Sequence, residues 1–387
     1  MSQNRFKTRM YSPFLLIILF LMPAFLPYKD DLVMLCDAWR LLQIAATVFL
    51  LLRYFTTPRI HNNGVNLIIL YYAWVSVACL ANGESPGLIR WEIIPDIGIS
   101  LFANAAMHKS KERFFKSAAC VFVVYVFINW ISMWVYPDGI ASGRIGQPFW
   151  IIGTKNNAIP YVLVAGVLLS LHAYMVNGRN TGKVRLVISL MCASTLSTNS
   201  STAILLGILV FCGIWAEAMI RNRRVLNFLF EGKKNMLLIA LMFLFVVIYG
   251  TNSPVMEGIT SWLGRDITIS GRTALWGHTI QTFLGNPLFG VGPVFVIDVG
   301  WGEVMTHAHN LYLNIAAKYG AVALGLFVVV IGNAMRKRRR EHSPMAFFFF
   351  TVYLAGSIVE VYATNTLSLA CIALLQYASN RKEVTGK

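Results

Sequence analysis

Charge is scarce in this chain. Of its 387 residues only 13% are Asp, Glu, Lys or Arg, and 17 are acidic. Soluble domains carry roughly 25% charged residues, so half that density excludes a protein that meets water on every side. Cysteine is present but never patterned. The six (Cys36, Cys79, Cys120, Cys192, Cys212 and Cys371) are scattered, mostly inside apolar runs, with no CxxC pair. That argues against a disulfide framework or a zinc site and leaves them as small apolar packing residues. No internal repeat is visible, which weakens a transporter built from duplicated halves. A cleavage signal is missing as well. Residues 1–10 are basic and 12–26 apolar, but Pro23 and Pro27 follow without a small-x-small site, so a retained first span is expected.

Apolar residues are what the chain has in excess, at 57%. Nearly uncharged stretches approach the ~20 residues that cross ~30 Å of hydrocarbon. Spans are expected near 12–28, 34–53, 64–81, 90–107, 114–136, 157–176, 184–198, 201–219, 236–250, 309–333, 345–360 and 363–379. The expected fold class is therefore an all-α polytopic membrane protein of about twelve transmembrane helices. It divides into helices 1–9 over residues 1–250, a large periplasmic loop with short amphipathic helices over 251–308, and helices 10–12 over 309–387.

Lys and Arg test that layout. Twenty-five of the 33 fall in seven clusters, at 5–9, 53–59, 109–116, 179–185, 221–234, 336–340 and 381–387. These occupy alternate connections, so they share one side of the membrane. The positive-inside rule makes that side cytoplasmic and places both termini there. The formal net charge of +16 is then a mark of topology and not of nucleic-acid binding. Eight basic residues remain outside the clusters: Lys29, Arg40, Arg90, Arg144, Lys155, Arg265, Arg272 and Lys318. The rule disfavours them there, so a role other than orientation is expected for several.

Two outer connections are long. Residues 137–157 carry Arg144, Lys155, Asn156 and Asn157. Residues 251–308 hold Arg265, Asp266, Arg272, His278, Asp298, Glu303 and His307, with His309 and Asn310 just beyond. Within the second, Leu275, Trp276, Ile280 and Phe283 are spaced to fill one helical face, so a short helix lying on the bundle is expected over 273–284. Lys318, some 13 Å down the helix from His309, needs a partner in an apolar span, and Glu360 is the expected one. Glu92 and Asp96, one turn apart, would bind sugar hydroxyls or line a polar seam.

The tract GRDITISGRTALW (264–276), then NPLFGVGP (286–293), then THAHNLYL (306–313) with Gly320 beyond, resembles the conserved region of the bacterial O-antigen ligase and polymerase superfamily. It is most similar to the Wzy-type exopolysaccharide polymerases. The resemblance implies glycosyl transfer at the periplasmic face of the inner membrane, without metal or other cofactor. The donor would be an oligosaccharide on undecaprenyl pyrophosphate, and a chain-length regulator and a flippase of the same pathway would be partners. Carried over by position, His309 is the base and Arg272 the pyrophosphate ligand. Arg265, Lys155, Arg144, His307, Asn310 and Asn156 are candidate contacts to pyrophosphate or sugar. A second arginine of the family would stand at Ser201, where this chain has none. The polymerase reading leads, with transfer of finished chains to lipid A-core as the alternative and a lipid-linked sugar permease behind both.

Overall fold

A computed structural model describes residues 12–143, 146–220, 222–249, 272–298, 304–336 and 343–378. It is built of helices α1 (Ser12–Phe20), α2 (Val33–Thr56), α3 (Asn63–Ala81), α4 (Arg90–Lys109), α5 (Lys111–Val135), α6 (Ala158–Asn177) and α7 (Gly182–Ser194). They are followed by α8 (Ser201–Met219), α9 (Arg223–Leu229), α10 (Gly232–Leu244), α11 (Arg272–Gly285), α12 (Leu311–Met335), α13 (Pro344–Gly356) and α14 (Thr364–Tyr377). Two short antiparallel hairpins, Ala141–Ser142 with Pro148–Phe149 and Ile297–Asp298 with Val304–Met305, sit in the long connections.

Helix boundaries follow local chemistry. Polar N-caps open the helices that follow tight turns: Asn62 accepts from Gly64 N, Ser110 from Arg113 N, Thr181 from Val184 N, Ser200 from Ala203 N and Ser343 from Ala346 N. Each satisfies a backbone N–H that the first turn leaves without a partner. Pro23 ends the first helix early, and Pro27 sits inside the turn that follows. The expected span 12–28 is helical only to Phe20 and continues as a short 3-10 turn at Leu26–Tyr28, because proline has no N–H to donate and restricts the residue before it.

Among the described residues, six helical segments are long and apolar enough to cross a membrane: Asp30–Thr56, Asn63–Ala81, Lys111–Val135, Lys155–Asn177, Ser201–Met219 and Leu311–Met335. Among the described residues, the other expected spans are helical but shorter or more polar. α4 is 20 residues long yet carries Arg90, Glu92 and Asp96, and α13 has only 13 residues. Burial is graded across the bundle. In α6, 78% of the apolar window lies inside the protein, and in α2 only 22%. Leu41, Leu42, Phe49 and Phe55 of α2 face outward, as apolar side chains do in lipid. Cys120 and Cys212 are exposed too, so the expectation that the cysteines serve as packing residues holds for the four that are buried.

One break positions everything that follows. α12 passes through Gly320 at φ 81°, ψ −179°, a conformation open essentially to glycine alone. The loop 286–293 inserts there. Ala321 N donates to Pro287 O at 2.8 Å, while Val291 N and Gly292 N donate to Ala317 O and Lys318 O, each at 2.9 Å. A Cβ on Gly320 would stand 1.9 Å from Leu288 O. Phe289 stacks on Trp74 of α3 with centroids 5.4 Å apart, so the loop is clamped between α3 and α12.

Candidate active site

The site grows from the start of α12. Asn310 caps the helix by accepting from Leu313 N at 3.0 Å. The residue before it, His309, is forced to φ 48°, an uncommon left-handed conformation for a residue with a side chain. Neighbours hold the turn. Trp276 Nε1 donates to Ala308 O at 3.0 Å, Ala308 N donates to Asn314 Oδ1 at 3.3 Å, and Leu311 N donates to Ser357 O at 2.9 Å. Strain of this kind is of order 1–3 kcal/mol and persists where surroundings fix it.

α11 is the helix expected from the spacing of Leu275, Trp276, Ile280 and Phe283. Leu275 and Trp276 are buried and the helix packs on α12. Trp276 is its anchor. Arg272 lies one turn earlier, hence on the same face, and reaches the loop between α13 and α14. Its Nη1 donates to Val359 O at 2.7 Å and its Nη2 to Glu360 Oε1 at 2.6 Å.

Glu360 is the meeting point. Oε1 accepts from Arg272 and, at 3.1 Å, from Asn156 Nδ2, and Oε2 lies 3.3 Å from His309 Nδ1. Three sequence-distant segments therefore converge on one carboxylate with 6% of its side chain exposed, while Arg272 keeps 15% and His309 24%. Burial alone would raise the Glu360 carboxyl. The His309 hydrogen bond and the Arg272 charge outweigh it and hold the group below the usual carboxylate range, so Glu360 is ionised at neutral pH. With the Nδ1 proton directed at that carboxylate, Nε2 of His309 is left as the acceptor.

His307 stands beside this centre, its ring centroid 4.2 Å from that of His309. Burial, and then the neighbouring His309, pull it down to about 4, so the ring is uncharged at pH 7. It also lines a cavity of about 430 Å³ shared with α4, α12 and the start of α14. A second, apolar groove of about 310 Å³ runs between α10, α12 and α13, lined by Phe243, Tyr312, Val328 and Leu354.

The expected residues divide as follows. Arg272, His309 and Asn156 are brought together, and His307 adjoins them. Lys155 precedes Asn156 and is exposed. Asn310 is fully buried; its Oδ1 serves as the helix cap, and its Nδ2 is buried without a hydrogen-bond partner. Ser201 opens α8 beside the Ser200 cap, and Asn199 before it is left-handed at φ 49°. Arg144 and Arg265 lie outside the described residues. Glu360 belongs to Arg272 and His309, and not to Lys318. Lys318 instead shares the larger cavity with Glu92. What the sequence did offer for Glu360 was an acid near the outer end of an apolar segment in a chain short of acids, a placement that calls for a partner.

No curated protein and no solved structure matches the chain. Residues 186–328 match a family model described as O-antigen ligase. The match runs from α7 into α12 and takes in Arg272, His307, His309 and Gly320, while Asn156 and Glu360 lie beyond it. The segment that carries this guanidinium and this imidazole thus matches the O-antigen ligase family, which supports the O-antigen ligase and polymerase superfamily for it.

Proposed function

We propose that the protein polymerises oligosaccharide repeat units carried on undecaprenyl pyrophosphate, by a single displacement at the anomeric carbon. In that reaction His309 Nε2 takes the proton of the acceptor hydroxyl as its oxygen bonds to the anomeric carbon. The bond from that carbon to the phosphate oxygen breaks, and its electron pair leaves with the pyrophosphate. Arg272 has donors to spare for the growing charge. A guanidinium carries five N–H groups, and two point at Val359 O and Glu360. Pairing with phosphate oxygens is what this group does well, and stabilising charge that develops in the transition state is what lowers the barrier.

The observation that carries the reading is the single carboxylate shared by Arg272 and His309. It holds together the two side chains that this reading uses as leaving-group ligand and base, which supports one substrate reaching both. The apolar groove beside Tyr312 suits the lipid anchor of the donor. In the chain, α6 and α12 begin at site residues and end beside the basic stretches at Arg179 and Arg336. That order supports an outer, periplasmic site in a twelve-span bundle of the inner membrane with cytoplasmic termini. A flippase that delivers the donor and a chain-length regulator are the partners such a reaction implies.

Purified protein given lipid-pyrophosphate-linked repeat units alone should build a ladder, with inversion at the new linkage. Product formed only after lipid A-core is added would assign the ligase instead. His309→Ala should abolish the ladder at normal protein level. Full-length polymer from that variant would remove the imidazole from the chemistry.

A further inference from the structure

The cavity beside His307 has charged walls that the transfer chemistry leaves unused. Glu92 of α4 and Lys318 of α12 both line it, together with Asn314, Thr306 and Asn365. Neither Glu92 nor Lys318 has an ion pair within 4 Å among the described residues. An ammonium and a carboxylate in an apolar bundle are costly unless something satisfies them. The volume of about 430 Å³ falls within the roughly 300–1,000 Å³ typical of small-molecule sites.

Only some ligands suit such walls. A hydroxyl donates to a carboxylate and accepts from an ammonium, so a polyol satisfies both ends at once. A uronate can pair with Lys318 and an amino sugar with Glu92, but the two wall charges act on one another. An ionic group that takes one wall therefore leaves the other without its counter-charge. His307 links the cavity to the base, since its ring lies 4.2 Å from that of His309 and is neutral.

We propose that this cavity seats the terminal sugar of the acceptor, and that Glu92 and Lys318 select a neutral, hydroxyl-rich ring. The proposal rests on the transfer reading above for the word acceptor, but sugar binding itself is read without turnover. Protein in lipid nanodiscs, with no donor present, is mixed with methyl α-glucoside, methyl α-galactoside, methyl α-mannoside and methyl β-glucuronide. Binding is followed by saturation-transfer NMR. At least one neutral glycoside should bind, and the glucuronide roughly tenfold or more weakly, the factor expected when a charged group loses its hydrogen bond. Glu92→Gln and Lys318→Met should each weaken the neutral glycoside by a similar factor. Thr306→Trp guards against misfolding of those variants. Thr306 is exposed and lines the cavity, so the indole fills the space without breaking an internal contact, and binding should vanish.

Equal glycoside binding to wild-type and Thr306→Trp protein would overturn the site. Glucuronide binding as tight as the best hexoside would overturn the selection for neutral sugars. Cavity-dependent binding together with polymer from His309→Ala would leave the sugar site standing and remove the catalytic reading.

Discussion

Replacing Glu360 by Gln isolates what the carboxylate does. The two side chains have the same shape, but the amide offers one acceptor and one donor end. If the amide oxygen keeps its place between Arg272 Nη2 and Asn156 Nδ2, at 2.6 and 3.1 Å, the NH₂ faces His309 Nδ1. It then donates to that nitrogen and drives the imidazole proton to Nε2, the atom that must accept. The flipped amide would set two donors against the guanidinium, which is worse. General-base assistance is worth about 10²–10⁴ in rate, so kcat should fall by that factor. Stability should fall less than it does in Glu360→Ala, because the amide oxygen still accepts from Arg272. Arg272 exchanges a charged acceptor for a neutral one, a difference of about 1–2 kcal/mol. Glu360→Ala, which leaves a mostly buried cation uncompensated, should cost about 3–5 kcal/mol.

The assay is single-turnover transfer in nanodiscs with melting followed in parallel. Glu360→Asp keeps the charge on a shorter arm and should recover part of the rate that Glu360→Gln loses. A merely structural carboxylate predicts the reverse pattern, with loss of rate following loss of stability. Glu360→Gln protein that melts normally and turns over within about a factor of three of wild type would refute the reasoning.

Two further outcomes follow from the geometry. Gly320→Ala must place a Cβ against Leu288 O at a φ of 81°, so the 286–293 loop should detach, with a melting point lowered by several degrees and little polymer formed; wild-type stability in that variant would show that the break in α12 is not needed. His307 has a folded value of about 4 against an ordinary 6.5, so as pH falls the unfolded chain takes up a proton first. Stability should therefore decline between pH 6.5 and 4 and level off below, by on the order of 2–3 kcal/mol, and His307→Gln should flatten that slope in melting curves taken across this range.

The all-α membrane class could be read from the sequence because a bilayer imposes a simple code. Among the described residues, six of the expected spans return as helices long and apolar enough to cross. The surface helix α11 was legible too, because four apolar residues at helical spacing leave little else for residues 273–284 to be. Helix ends were less so. Pro23 and the exit at Gly356 shortened spans whose apolar composition ran on. The site was half legible. Arg272 and His309 stand in a tract whose order carries their chemistry, whereas Glu360 lies 88 residues from one and 51 from the other. Nothing local marks an acid as a hub. Lys318 looked like its partner because the sequence reading sets both in the same half of apolar segments, but depth along a helix does not say which face a side chain takes. Gly320 has the same lesson, since its need for glycine comes from a loop thirty residues earlier.

The carboxylate also decides how such a site could hold a pyrophosphate. Arg272 and Glu360 cancel at rest, and His307 is neutral, so the centre offers no standing excess of positive charge. That makes a guanidinium tolerable between the helices when the donor is absent. It also means that the anion is not drawn in by the centre alone. A two-arginine clamp would do so, but Ser201 stands where the second arginine is expected and the turn before α8 carries no charge. A described cation next to the centre in the chain is Lys155, exposed and adjacent to the Asn156 that grips Glu360. On this reading attraction and catalysis are separated. Exposed cations such as Lys155 bring the donor to the rim, and Arg272, already oriented by Glu360, engages most strongly as the leaving group gains charge. That division favours the transition state over the bound donor, which is the condition for raising kcat and not only affinity.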